Sequence, residues 1–197
     1  SDLTMKQIEQ LYIRAKELSV DVARVHSGDV SVYGALSEQI TLLQKHNIDF
    51  QIVPGIPAYV EAAAQLKTEL TAPGQVQSVV LTRTSFGSTP MPEGEDLKTF
   101  AKTGATLVIH LSIRRLNYIY RELTPILGDD ALVAVLYRIG WPDQQIILDR
   151  LDNIASKVRE KKITRTALII TGKNFKKKSD INSVLYDENF NHLFRPK

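Results

Sequence analysis

The order of features between residues 20 and 55 constrains this chain most. An apolar run over 20–25 leads into His26-Ser27-Gly28-Asp29-Val30-Ser31-Val32-Tyr33-Gly34, after which Leu36, Ile40 and Leu43 recur at helical spacing. Strand, glycine-containing loop and helix, in that order, form the building unit of an open α/β sheet. In such sheets ligands bind beyond the carboxyl ends of the strands. Glycine lets a ligand approach the backbone, and Asp29 can cap the next segment or accept a hydrogen bond. A second short apolar run over 50–53 is stopped by Pro54-Gly55.

The rest of the chain keeps this rhythm. Thr4 and Gln7 match a capping box, and Ile8, Leu11, Ala15 and Leu18 then predict a helix. The pattern predicts strands over 21–25 and 50–53 and an Ala-rich helix over 58–66, with a turn at Pro73-Gly74. Beyond it the pattern predicts strands over 78–82, 105–111, 131–137, 145–148 and 166–171. Helices are predicted over 95–102, 113–123 and 151–161, with a Gly/Pro-rich loop over 86–94. Strands alternating with helices imply an α/β layered fold. The two strands around Trp141-Pro142-Asp143 are close enough to be a hairpin, so the second sheet is expected to be mixed. The expected organisation is the remainder of an N-terminal α/β lobe over 1–53, a C-terminal α/β lobe over 54–172 and an extension over 173–197.

Composition narrows the function. The chain has 197 residues, of which 43% are hydrophobic and 24% charged, as in an ordinary globular protein. No apolar run approaches the ~18 residues of a membrane span, and the start has no secretory pattern. Cysteine is absent, which excludes disulfides, thiolate metal sites and cysteine nucleophiles, and fits a cytoplasmic setting. The net charge of +3 suits a polyanionic ligand.

Individual residues suggest chemistry. Arg83, Arg114, Arg115 and Arg138 could pair with substrate carboxylates, because the guanidinium fork binds a carboxylate bidentately. Tyr33 and Trp141 could stack on a flat ligand. His26, His46, His110 and His192 are not at metal-ligand spacing, so no metal is expected. His26 or His110 could accept a proton, but the role of a hydrogen-bonded histidine near a sheet edge is favoured for both, and no catalytic residue is assigned. Lys176-Lys177-Lys178 reads as a solvated face and leaves a nucleic-acid partner open but unfavoured.

Ser-Gly-Asp followed by Val-Pro-Gly resembles the cofactor loops of the class III S-adenosylmethionine-dependent methyltransferases, most of which modify tetrapyrroles. Leu81-Thr82-Arg83, Thr89-Pro90-Met91-Pro92-Glu93, Tyr137-Arg138-Ile139-Gly140-Trp141-Pro142-Asp143-Gln144 and Ile163-Thr164-Arg165-Thr166-Ala167-Leu168 extend the likeness. So do Leu185-Tyr186-Asp187 and His192-Leu193-Phe194-Arg195. Within that group the chain is most similar to the precorrin-4 C11-methyltransferase family of cobalamin biosynthesis.

The resemblance implies a two-lobed tetrapyrrole methylase fold with a truncated first lobe, S-adenosylmethionine as methyl donor between the lobes, a tetrapyrrole substrate and a homodimer. It implies cofactor contacts at Ser27, Gly28, Asp29, Val32, Pro57, Ala58, Leu111, Arg138, Ile139, Thr166 and Ala167. Arg83, Arg114, Tyr33 and Trp141 are expected on the substrate side. The family has proline where Val30 stands and small hydroxyl residues near Pro57-Ala58. Complete members open with a strand, a Gly-Pro-Gly-Asp-type loop and a helix, and this chain begins after them. A non-catalytic binding remnant and a same-fold methyltransferase for another substrate, RNA included, remain open as alternatives.

Overall fold

The computed structural model describes residues 3–85, 89–175 and 183. The lysine run 176–178, His192, the 185–195 motifs, nearly all of the expected extension and Phe86, Gly87 and Ser88 of the expected loop lie outside the described residues. The chain divides into two compact units, Ser1–Val60 and Glu61–Lys197.

The first unit holds two helices, α1 (Met5–Glu17) and α2 (Leu36–Lys45). The capping box at the start of α1 is formed: Thr4 Oγ1 accepts from Gln7 N at 3.3 Å, and Thr4 N donates to Gln7 Oε1 at 2.8 Å. The buried stripe of α1 is Ile8, Tyr12 and Ala15, whereas Leu11 and Leu18 are exposed. Polar contacts join the helices. Tyr12 Oη donates to Gln39 Oε1 at 3.0 Å in a buried position. Glu9 Oε1 meets Lys45 Nζ at 2.8 Å and His46 Nε2 at 2.7 Å. These two partners, His46 first, hold the Glu9 carboxyl below its ordinary value.

The strands expected over 21–25 and 50–53 do not form. Both runs are irregular chain, and Val25 and Val53 are 79% and 71% exposed. Alternating apolar residues make a strand possible, but a paired neighbour makes it a strand. Neither run pairs with a strand in this unit. Together with Tyr12, Leu36 and Leu43 they line an open groove of about 870 Å³.

Helix α3 (Ala58–Gln65) straddles the division between the units. The second unit is built on five strands: β1 (Val79–Arg83), β2 (Thr106–His110), β3 (Leu132–Tyr137), β4 (Gln145–Arg150) and β5 (Ala167–Thr171). Their order is β1-β2-β5-β3-β4, with β1 and β2 parallel and the other three pairs antiparallel, so the sheet is mixed as expected. β3 and β4 are the expected hairpin, registered from Leu132 opposite Arg150 to Tyr137 opposite Gln145.

Helices α4 (Leu97–Lys102), α5 (Leu116–Leu127, after a 3-10 turn at Ile113–Arg115) and α6 (Ile154–Glu160) share one core with the sheet. Leu107, Ile109, Val133, Val135, Ile147 and Ile169 face Leu97, Leu116, Ile119, Leu123, Ile154 and Val158 there. The alternate strand residues Val108, Ala134, Leu136, Leu168 and Ile170 are buried too. A central strand covered on both faces reads as a continuous apolar run, as β2, β3 and β5 do. Helix α5 passes through Pro125 to Leu127, one turn beyond the expected end.

Candidate functional site

Strand directions decide where the chemistry gathers. β2 and β3 both run antiparallel to β5, so they point the same way, and β1 is parallel to β2. The carboxyl ends of β1, β2 and β3 and the starts of β4 and β5 therefore share one end of the sheet. Arg83, Leu111, Arg114, Arg138, Ile139, Trp141, Thr166 and Ala167 all sit at that end.

Three adjacent strands leave or enter the sheet through a left-handed residue that is not glycine. Leu111 follows β2 with φ +53°, Thr166 precedes β5 with φ +51°, and Arg138 follows β3 with φ +46°. Each such residue costs roughly 1–2 kcal/mol relative to right-handed geometry. Strain of this kind gathers at functional sites. Here it turns the backbone out of the ladder at three neighbouring points. Arg138 N donates to Thr166 O at 2.9 Å, which joins two of those points directly.

The side chains at this end are differently engaged. Arg83 donates from Nη1 to Thr84 O and Thr89 O at 3.2 Å and from Nη2 to Pro90 O at 3.4 Å, so it clips two pieces of one loop together. Ser112 Oγ accepts from Thr84 N at 2.8 Å and donates to His110 O at 2.6 Å, tying the end of β1 to the end of β2. Arg114 Nε donates to Thr164 O at 3.0 Å. Leu111 is 69% exposed and Trp141 is 52% exposed, which leaves two large apolar side chains uncovered. Arg138 lies with its guanidinium 4.3 Å from the centre of the Trp141 ring and Nε 2.8 Å from Asp143 Oδ1.

His110 ends β2 beside Arg83 in the parallel register. Burial holds its imidazole below the ordinary value of 6.5, so it is neutral at pH 7. The unfolded chain gains a proton there below its ordinary pKa, while the native state does not. The resulting stability is complete above about pH 6.5 and declines as the pH falls toward the native value. A proton NMR titration of the His110 ring should show a midpoint below that of a histidine in a denatured control. A midpoint at or above the control contradicts the assignment.

In the first unit the expected loop residues do meet. Asp29 Oδ1 accepts from Ser31 N at 2.8 Å and from Ser31 Oγ, and Asp29 Oδ2 accepts from Gly55 N at 2.9 Å. These bonds, the Ser31 hydroxyl first, hold the Asp29 carboxyl below its ordinary value. Gly28 adopts φ +72°, and a Cβ there would lie 3.4 Å from Ile56 O and 3.8 Å from Pro57 Cα and Ala58 N. Ser27, Gly28 and Asp29 thus lie against the turn that carries Pro57 and Ala58, while Val32 and the 45%-exposed Tyr33 continue the loop. His26 precedes it, half-buried. Sequence reasoning missed the roles of Gly55, Ser112 and Asp143. Asp143 had a signal, since it stands five residues after Arg138 within a Trp-Pro-Asp turn.

Residues 2–155 match the model of the tetrapyrrole (corrin/porphyrin) methylases. The chain belongs to that family. It is 44% identical to a precorrin-4 C(11)-methyltransferase of Sinorhizobium sp., over 98% of this chain and 76% of that protein. It is 39% identical to a cobalt-precorrin-4 C(11)-methyltransferase of Methanocaldococcus jannaschii, over 99% of this chain and 75% of that one. Among solved structures, a cobalt precorrin-4 methyltransferase of cobalamin biosynthesis superposes with a TM-score of 0.83 at 32% identity, over 87% of this chain and 72% of that chain. The tetrapyrrole methylase fold, with its mixed sheet between helices, is therefore shared as well as the sequence. Among the described residues no three His, Cys, Asp or Glu side chains converge on a point, and no helix is long and apolar enough to cross a membrane.

Proposed function

We propose that this tetrapyrrole methylase moves the methyl group of S-adenosylmethionine to C11 of precorrin-4 or its cobalt form, in cobalamin biosynthesis. The observation that carries the reading is the row of left-handed strand ends at Leu111, Thr166 and Arg138. It turns the backbone out of the ladder at the sheet end where ligands of open α/β sheets bind. The charges fit too, because Arg138 is balanced by Asp143 and adds no net repulsion against a sulfonium. Ala167 and Ile139 complete that set, and Ser27, Gly28, Asp29, Val32, Pro57 and Ala58 form the cofactor loop of the first unit.

The substrate side needs an apolar surface and cations. Trp141 supplies the first, with Tyr33 as a further stacking residue, and Arg83 and Arg114 the second. Among the described residues neither arginine has a carboxylate partner within ion-pair distance. S-adenosylmethionine supplies an electrophilic methyl on a sulfonium, so the protein has only to orient the two reactants and exclude water. The carbon nucleophile forms the new C–C bond, the electrons of the broken C–S bond stay on sulfur, and one proton is released. A homodimer in the cytoplasm is part of this proposal on the family resemblance.

The test is incubation with S-adenosylmethionine and precorrin-4, followed by mass spectrometry and carbon-13 NMR of the product. Formation of S-adenosylhomocysteine with one added methyl at C11 is expected. Methylation at another carbon, or none, overturns the reading.

A further inference from the structure

The hairpin between β3 and β4 contains a compact assembly of three side chains, Arg138, Trp141 and Asp143. Arg138 was expected to touch a ligand, yet its side chain turns back into its own loop. Its guanidinium rests 4.3 Å from the centre of the Trp141 ring and its Nε donates to Asp143 at 2.8 Å. The backbone of the same loop is tied at several points. Trp141 N donates to Arg138 O at 3.0 Å, Gln144 N to Trp141 O at 3.0 Å, and Gly140 N to Gln144 Oε1 at 2.9 Å. Two left-handed residues, Arg138 at φ +46° and Gly140 at φ +81°, flank Ile139. Glycine takes that geometry at no steric cost, but arginine does not.

We propose that Arg138 is a positioning residue: pinned between Asp143 and the Trp141 ring, it holds the left-handed end of β3 in the shape that binds the cofactor. This inference rests on the proposed cofactor edge. The argument is one of preorganisation. A left-handed arginine relaxes toward ordinary geometry unless something else fixes it, and the salt bridge and the cation–π contact supply that fixation. Both partners come from within five residues of Arg138, so the brace belongs to the hairpin itself. Relaxation would swing the peptide after Arg138, whose carbonyl accepts from Trp141 N, and so shift the loop that leaves this strand end. The binding edge would then have to be ordered by the ligand, at the expense of affinity. The arrangement also holds the indole ring, and Trp141 stays 52% exposed.

The chain has a single tryptophan, so its fluorescence reports this one place. The experiment compares wild type, Arg138→Met, Arg138→Lys, Asp143→Asn and the double variant Arg138→Met/Asp143→Asn. It measures S-adenosylhomocysteine affinity by calorimetry and Trp141 emission and acrylamide quenching without ligand. Arg138→Met and Asp143→Asn should each weaken binding, the first by about three- to thirtyfold. The double variant should be no worse than Arg138→Met alone, because both changes break one brace. Arg138→Lys should restore part of the affinity, and the loss of the brace should raise Trp141 quenching. Unchanged affinity in Arg138→Met, or losses that simply add, overturns the inference. Wild-type protein that does not bind S-adenosylhomocysteine at all overturns the cofactor edge itself.

Discussion

Replacing Gly55 by alanine should destabilise the first unit by about 2–3 kcal/mol, the upper range for overpacking. A Cβ at Gly55 would lie 2.0 Å from Gly28 O and 3.0 Å from Gly28 C. Both obstacles are backbone, so no side-chain rotation relieves them. The turn must move away from the Ser27-Gly28-Asp29 loop, and that movement breaks the 2.9 Å bond from Gly55 N to Asp29. Urea unfolding followed by circular dichroism, with hydrogen exchange over residues 27–58, measures both consequences. The exchange rates in this loop should rise well above those of the second unit, which keeps its own core. Stability within about 0.5 kcal/mol of wild type, the scatter of innocuous surface changes, would show that the close approach is not structural.

Ile109→Ala should cost about 2–5 kcal/mol, the range for removing most of a buried aliphatic side chain. Ile109 is 0% exposed and belongs to the core shared by the sheet with α4, α5 and α6. It lies on β2, which is paired on both sides, opposite Thr82 of β1 and Ile169 of β5. The cavity therefore opens beneath His110 and Leu111, the end of the sheet where the site is assembled. Denaturant titration should show a lower midpoint with little change in slope, since the surface exposed on unfolding is nearly the same. A cost below about 1 kcal/mol would mean that the neighbouring side chains collapse into the space, and the core is looser than its burial indicates.

These two sites also mark how far local sequence carries. The capping box of α1, the long apolar runs of β2, β3 and β5, and the Trp-Pro-Asp hairpin are local signals, and each became the element it predicted. Short-range chemistry suffices for them: a Thr side chain reaches Gln7, and an apolar run buried on both faces needs no alternation. The runs over 20–25 and 50–53 carry a similar local signal and form no strand, because pairing depends on a neighbour that local pattern cannot supply. Leu11 and Leu18 have the right spacing for a core, yet the face of α1 that is covered passes through Tyr12 instead.

The site divides in the same way. The residue types were legible: a Ser-Gly-Asp loop, a Pro-Gly turn, arginines near strand ends and one tryptophan. Their engagement was not. Sequence presents Asp29 and Arg138 as groups awaiting a ligand, whereas in the fold Asp29 ties two loops together and Arg138 braces its own hairpin. A charged side chain takes the nearest partner that completes its hydrogen bonds, and only the folded backbone fixes which partner that is. The left-handed strand ends carry no sequence signal, since leucine, arginine and threonine do not advertise positive φ. By itself the sequence determined the family and, in the second unit, the order of the elements and the buried runs of β2, β3 and β5. Tertiary structure decided the strand order β1-β2-β5-β3-β4, and with it the single sheet end where distant residues meet, because chain direction in a mixed sheet follows from long-range pairing.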